Sequence, residues 1–365
     1  SQFKLIPLIQ LASVTGVHGV SFLVVWVSVS LAAGAAVVLL RPQLRFAWKN
    51  EVALALITLL LVVSWGMGRA TKPPATATAD RTMKLALVQP SIPQTLIFDP
   101  EAATNRFNQL LALTRQALAA RPDVVIWPEA SLPVISEDSF AELLTLIQDA
   151  GIPLILGADD AERTDFGPDE RVNYYNAAFH FGGDGRFQGR YRKQRLVIFG
   201  EYTPGARWLP FLAKWFPAGM GFAAGLEPVN FRVEPIGANV TVNICFEDNF
   251  ADLVRAQVQP DTDFVLNLTN NGWFGESAAQ WQHAANAIFR AIENNVPLVR
   301  GTNNGLTCWI DEHGRLRQVF TDEAGSVYGS GVAVFEVPLL RPGTPRKPTL
   351  YSRFGDWLGW TCLAL

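Results

Sequence analysis

Two long apolar runs lie at the front of the chain, and behind them short β-branched runs alternate with helical stretches. Val17 to Leu40 contains no Asp, Glu, Lys or Arg and exceeds the roughly 20 helical residues that a hydrocarbon core requires. Val52 to Met67 is shorter. It suffices for a second span if Asn50 and Gly68 sit at the interface and Trp65 acts as a belt residue; a buried core helix is the alternative reading. Arg41, Arg45 and Lys49 fall in the connection between the two runs, and short basic loops stay in the cytoplasm. Everything from Met83 onward is therefore expected on the far side of the membrane.

Strands are expected over Lys84–Gln89, Asp123–Trp127, Pro153–Gly157, Val240–Ile244, Phe264–Leu268 and Leu298–Thr302, and helices over Asn105–Ala119, Phe140–Ala150 and Gln280–Asn294. Strands alternating with helices indicate a layered α/β domain. Ala177–Phe181 and Phe187–Tyr191, flanking the Gly182–Gly185 turn, add an antiparallel pair. The resulting division is an external segment over 1–16, a transmembrane helix over 17–40, a cytoplasmic loop over 41–50, a second transmembrane helix over 51–68 and a Thr/Ala/Pro-rich linker over 69–82. A globular domain over 83–340 follows, then a linker over 341–353 and the start of a C-terminal transmembrane helix over 354–365. Both ends read as incomplete, with further spans expected beyond them.

Composition agrees with a membrane protein that has a soluble middle: 49% of the 365 residues are hydrophobic and only 17% charged, against about 25% charged in soluble domains. A net charge of -3 and the lack of a long basic run leave no electrostatic footprint for nucleic acid. Three widely spaced cysteines exclude a disulfide framework and a CxxC metal pattern. Four scattered histidines without an HExxH pattern give no metal site, and no cofactor is expected.

The candidate chemistry lies in three segments. In Val240 to Asn249 a β-branched strand ends at Cys245 and runs into a helical pattern. A strand-to-helix turn holds a nucleophile in the open and leaves backbone N–H groups free for an oxyanion; taken alone, such a cysteine is as often a small buried hydrophobe. In the second segment, Val124 to Trp127 delivers Glu129 just past Pro128. A desolvated carboxylate there can take a thiol proton, although a surface glutamate after a strand is commoner. In the third, Gly189 to Glu201 places Lys193 in a cationic cluster that runs into an apolar stretch. Lysine lowers a nearby thiol pKa and can hold an oxyanion, but such clusters are usually solvated loops.

Taken together, WPE at Glu129, RKQ at Lys193 and CFE at Cys245 resemble the nitrilase (carbon-nitrogen hydrolase) superfamily. Asn270 to Gly275 and the stretch with His283, Arg290, Glu293, Asn294 and Pro297 to Arg300 are similar to that superfamily's closing segments. The resemblance covers Met83 to about Leu340 and implies a nitrilase-like αββα sandwich with a Glu-Lys-Cys triad of Glu129, Lys193 and Cys245. The apolar spans together with Phe199 to Pro204 and Cys245 to Glu247 resemble one branch, the apolipoprotein N-acyltransferases of bacterial inner membranes, except that Phe246 stands where tyrosine is common.

That branch implies transfer of an acyl chain from a phospholipid donor to the α-amine of a diacylated apolipoprotein, by a monomeric, multi-pass enzyme whose catalytic domain is periplasmic. The backbone N–H of Phe246 is then an oxyanion donor. Glu201 and Glu247 orient Lys193 or tune Glu129, and Asn176 either makes a polar contact or is a turn residue. Trp208, Phe211 and Trp215, on one helical face, form a bilayer-dipping arm or an ordinary core helix, and Trp273 belongs to a similar loop. A membrane-tethered amidase that releases its acyl group to water would use the same triad, and a catalytically dead binding module would need none of it.

Overall fold

The computed structural model describes residues 2–40, 48–73, 81–97, 99–132, 136–164, 171–205, 211 and 221–364. Its first helices are α1 (Ile6–Ile9), α2 (Ala12–Leu40) and α3 (Lys49–Ala70). There follow β1 (Thr82–Gln89), α4 (Gln94–Ile97), α5 (Ala103–Ala119), β2 (Val124–Ile126), α6 (Glu137–Ala150), β3 (Leu154–Thr164), β4 (Arg171–Phe181) and β5 (Phe187–Arg192). Next come β6 (Asn230–Val233), β7 (Ala238–Ile244), α7 (Ala251–Gln257), β8 (Phe264–Thr269), α8 (Ala278–Asn294) and β9 (Leu298–Thr302). The chain closes with β10 (Cys308–Ile310), β11 (Leu316–Val319), β12 (Gly331–Pro338), α9 (Leu350–Phe354) and α10 (Trp357–Ala364).

The strands form two six-stranded sheets, ordered β12-β1-β2-β3-β4-β5 and β11-β10-β9-β8-β7-β6. Each sheet has three parallel strands at its centre, β1-β2-β3 or β7-β8-β9, flanked by antiparallel partners. Central strands of this kind are buried on both faces and read as continuous apolar runs. In β1, Leu85 and Leu87 face the other sheet in a shared core with Ile126, Val242, Leu266 and Val299. Ala86 and Val88 point the other way, onto Leu110 and Phe107 of α5 and Ile147 of α6. On the outer face of the second sheet, Val265 and Leu298 pack on Ala287, Ile288 and Ile292 of α8. The layers are therefore helix, sheet, sheet, helix, as the resemblance implied.

Short β6, β10, β11 and the longer β12 lie outside the expected strands, and β3 and β4 run several residues beyond them. These added stretches are held by ladder pairing with the neighbouring strands. β12, for example, pairs along its whole length with β1, from Thr82 opposite Pro338 to Gln89 opposite Gly331.

α2 bends at Gly16, whose φ of 70° lies in the left-handed region. A Cβ there would lie 2.6 Å from the Tyr351 ring, so glycine serves both the bend and the close approach. Before the bend, Ile9 and Ala12 belong to the α8 core, and the buried Gln10 donates to the His313 carbonyl at 2.9 Å. Residues 1–16, expected as an external segment, are thus docked on the domain over their described part. After the bend, Phe22, Val25, Val29 and Leu39 are exposed, as are Leu54, Ile57, Leu60 and Leu61 of α3. Both helices are long and apolar enough to cross a membrane, with mean hydropathies of 2.5 and 1.9 and few of their residues buried. Val52 to Met67, for which a buried core helix was the alternative reading, is thus mostly exposed among the described residues.

The expected 341–353 linker is also fixed. Arg346 is buried and donates to the carbonyls of Thr262, Asp263 and Asn295, while Thr349 binds the Glu293 carbonyl. Arg41 and Arg45, on which the loop orientation was read, lie outside the described residues.

Candidate active site

Cys245 follows the last residue of β7 and opens a short 3-10 turn, Cys245–Asn249. Its φ of 51° is a left-handed backbone for a residue with a Cβ, a local strain that the surroundings must hold in place. Several contacts do so. The Cys245 carbonyl accepts from Asn267 Nδ2 at 3.1 Å and lies 3.3 Å from His283 Nε2. His283 is in turn 3.0 Å from Asp248, which also pairs with Arg300. The first turn of a helix leaves N–H groups without intrahelical acceptors, and the Phe246 N–H is the first after the thiol.

Glu129 follows β2, with Trp127 anchored by its Nε1 donating to Thr114 at 2.9 Å. Neighbouring Ala130 also has a left-handed φ of 49°. Gly157 of β3 passes so close that a Cβ would lie 2.4 Å from the Pro128 carbonyl oxygen and 2.7 Å from Glu129 Cα. The carboxylate is buried and fully engaged. Oε1 accepts from Asn176 Nδ2 at 2.8 Å and Lys193 Nζ at 3.3 Å, and Oε2 accepts from the Asn270 backbone N–H at 2.8 Å.

Lys193, just past β5, is 1% exposed. Its backbone N–H donates to the Asn176 carbonyl at 2.9 Å, and its Nζ to Glu201 at 2.7 Å. Burial pulls the ammonium pKa down, but the charges of Glu129, Cys245 and Glu201 more than offset this, and the net direction is upward. Lys193 is therefore charged. For Cys245, burial and then the Glu129 charge push the thiol up to about 12, against the opposing pull of Lys193 and the Thr269 side chain. The group rests as a neutral thiol.

Glu201 and Glu247, expected together around Lys193, divide into two roles. Glu201 grips the Lys193 ammonium and accepts from the Val197 N–H at 2.8 Å, and Asn176 Nδ2 bridges it to Glu129. Glu247 accepts from the backbone N–H groups of Ile244, Gln194 and Arg195 at 2.8, 2.6 and 3.1 Å and from the Tyr191 hydroxyl at 2.8 Å. It thus ties the cysteine turn to the Lys193 segment through their backbones. Burial raises its pKa against those donors.

Asn176, whose alternative was a turn residue, lies within β4. The Phe246 ring is at the surface, edge-on to Phe250. Trp273 and Phe274 are exposed on the 3-10 turn Asn271–Phe274, directly after Asn270. Phe211 is exposed, while Trp208 and Trp215 lie outside the described residues.

Three contributors were given no role of their own in the sequence reading. Asn270 binds Glu129 through its main chain, so its side chain carried no signal. Asp248 is buried within the cysteine turn itself; its pKa is drawn up by burial and, in net, down by His283 and Arg300. Asp159, opposite Asn176 in the β3–β4 ladder, is pushed up to about 6 by desolvation and by Glu129 and Glu201. Among the described residues no group of three or more His, Cys, Asp or Glu could hold a metal ion.

Known proteins share this architecture. The carbon-nitrogen hydrolase family model matches residues 84–331. An amidase from Nesterenkonia sp. has the same fold, with a TM-score of 0.52 over 79% of this chain and 99% of its own, at 16% identity. Curated relatives named apolipoprotein N-acyltransferase are more similar in sequence. The Geobacter metallireducens protein is 33% identical over 100% of this chain and 67% of its own length. The Brucella melitensis protein is 32% identical over 93% and 61%, and that of Pasteurella multocida 30% over 85% and 59%. This chain thus spans roughly three fifths to two thirds of their length. With its sandwich of two sheets, its matched segment and these relatives, the chain belongs to the carbon-nitrogen hydrolase family.

Proposed function

We propose that this chain is the catalytic part of a membrane-bound N-acyltransferase that moves a fatty acyl group from a phospholipid, through a thioester on Cys245, to the α-amine of a diacylglyceryl-cysteine at the start of an apolipoprotein. One observation carries the reading: a thiol, a buried carboxylate and a buried ammonium converge in a domain packed against two apolar helices that are largely exposed among the described residues. The name of the curated relatives, apolipoprotein N-acyltransferase, supports acyl transfer to an apolipoprotein nitrogen.

In this mechanism Glu129 takes the thiol proton as sulfur attacks the ester carbonyl, and Lys193 with the Phe246 N–H stabilises the oxyanion. The ester C–O bond breaks, the proton passes from Glu129 to the departing oxygen, and a lysophospholipid leaves. The acceptor amine then attacks the thioester carbonyl and gives a proton to Glu129; the C–S bond breaks, Glu129 returns the proton to sulfur, and the N-acylated product leaves. A base is needed because a thiol held near 12 supplies almost no thiolate at neutral pH. Glu201 and Asn176 act as positioning residues for Lys193 and Glu129, and Glu247 for the cysteine turn. Trp273 and Phe211, both exposed, would meet the lipid. α2 and α3 cross a bacterial inner membrane, with the domain on the periplasmic side.

The test is incubation of the purified chain with a defined phospholipid, without and then with a diacylated lipopeptide. Mass spectrometry is expected to find an acyl adduct on Cys245 that the lipopeptide amine removes. Free fatty acid without transfer would replace this reading with hydrolysis, and no adduct on Cys245 would end it.

A further inference from the structure

A cavity of about 820 Å³ opens where the C-terminal end of α3 meets the domain. Trp65, Arg69 and Lys72 reach it from α3 and the residues just after, Glu312 from the β10–β11 turn, and Arg341 and Lys347 from the segment before α9. It is not the Cys245 site. Ile310 lies opposite Leu298 in the antiparallel β9–β10 pair, so the β10–β11 turn sits where β9 begins. Cys245 follows the opposite end of the parallel β7-β8-β9 strands.

Glu312 is the unusual member. It is 1% exposed, yet neither carboxylate oxygen has a hydrogen-bond partner among the described residues. The nearby cations Arg69 and Arg346 interact with the Glu312 charge but donate their hydrogen bonds elsewhere. Arg69 donates to Gln10 and Asn295, and Arg346 to three backbone carbonyls. A buried carboxylate without donors is costly, so such a group calls for a ligand that brings them. Around the mouth, Lys72, Arg341 and Lys347 are exposed, and the half-exposed Trp65 belongs at a membrane interface. The cavity therefore offers an anion at depth and cations at the rim, at the level where α3 would leave a bilayer.

We propose that this cavity binds a phospholipid headgroup that carries a hydrogen-bond-donating ammonium next to its phosphate, as a bound lipid separate from the acyl donor. The ammonium donates to Glu312, the phosphate meets Lys72, Arg341 and Lys347, and the acyl chains run down the exposed apolar face of α3. This rests on α3 crossing the membrane. A glycerol headgroup brings no cation for Glu312, and a choline nitrogen has no hydrogen to donate.

The experiment is native mass spectrometry of the full chain in detergent, titrated with dihexanoyl phospholipids bearing ethanolamine, glycerol or choline. The ethanolamine lipid should be retained preferentially. Glu312→Gln should weaken its retention by about tenfold or more without changing that of the glycerol lipid, and the exposed change Lys72→Gln should weaken both. Equal retention of the three lipids, or ethanolamine retention unaffected by Glu312→Gln, overturns the proposal. The acyl adduct on Cys245 is read in parallel with long-chain donor. An adduct without headgroup selectivity refutes only the lipid site, and selectivity without an adduct refutes only the acyl-transfer reading.

Discussion

Glu129→Gln separates the two influences that this carboxylate exerts on Cys245. In the wild type burial and Glu129 push the thiol well above its ordinary range, so little of it is thiolate at pH 7. Glu129 raises the thiol and Lys193 lowers it. Replacing the carboxylate with an amide of the same shape leaves Lys193 acting alone. Unit charges about 4 Å apart interact by about 4 kcal/mol at an effective dielectric near 20, equivalent to about three pKa units. Solvent relaxation reduces this, so a downward shift of at least about one unit is expected, with at least about tenfold more thiolate at neutral pH.

The variant also lacks the proposed base, and acyl-enzyme formation from phospholipid should then fall by about 10²- to 10⁴-fold. The assay pairs that rate with alkylation of Cys245 by iodoacetamide, followed on its own peptide from pH 6 to 10. The wild-type profile should show no titration step near the ordinary thiol value of about 8.5, and the variant's alkylation curve should move to lower pH. A wild-type step near that value, or a variant that loads acyl groups within about tenfold of the wild-type rate, would refute the reasoning.

Other substitutions test the rest of the site. Cys245→Ala should abolish the acyl adduct and all transfer while leaving the melting temperature near the wild-type value; residual transfer would assign the nucleophile elsewhere. Lys193→Met strips a buried cation from Glu129 and Glu201, 3.3 and 2.7 Å away. A loss of about 3–5 kcal/mol of stability is expected, visible in thermal denaturation, and a loss below about 1 kcal/mol would mean that the pair is not buried in solution. Gly157→Ala places a Cβ 2.4 Å from the Pro128 carbonyl and should cost about 1–3 kcal/mol while slowing acylation; unchanged kinetics would show that the Glu129 loop tolerates displacement. Reporter tags after Arg81 should be accessible only from outside the inner membrane, and a cytoplasmic signal would reverse the proposed orientation.

Much of this molecule is legible in one dimension. A charge-free run ending at Leu40 and a second ending near Met67 identify helices long and apolar enough to cross a membrane, because length and apolarity are local properties. The central strands and α5, α6 and α8 follow from apolar runs and helical periods for the same reason, and the chemical identities of Glu129, Lys193 and Cys245 stand in recognisable segments. Tertiary structure decided what depends on distant partners. β6, β10 and β11 are four residues or fewer and exist through ladder hydrogen bonds. Gly16 becomes a bend because Tyr351 fills the space beside it. Residues 341–353 look like a linker until the buried Arg346 finds three carbonyls.

At the site, Asn270 contributes a backbone N–H that no residue type encodes. Glu201 and Glu247, alike as carboxylates, part company because one meets an ammonium and the other three main-chain N–H groups. The protonation state of Cys245 is the plainest case. A cysteine in a sequence has an ordinary thiol, and only the folded chain, by removing water and setting Glu129 and Lys193 beside it, determines how tightly its proton is held.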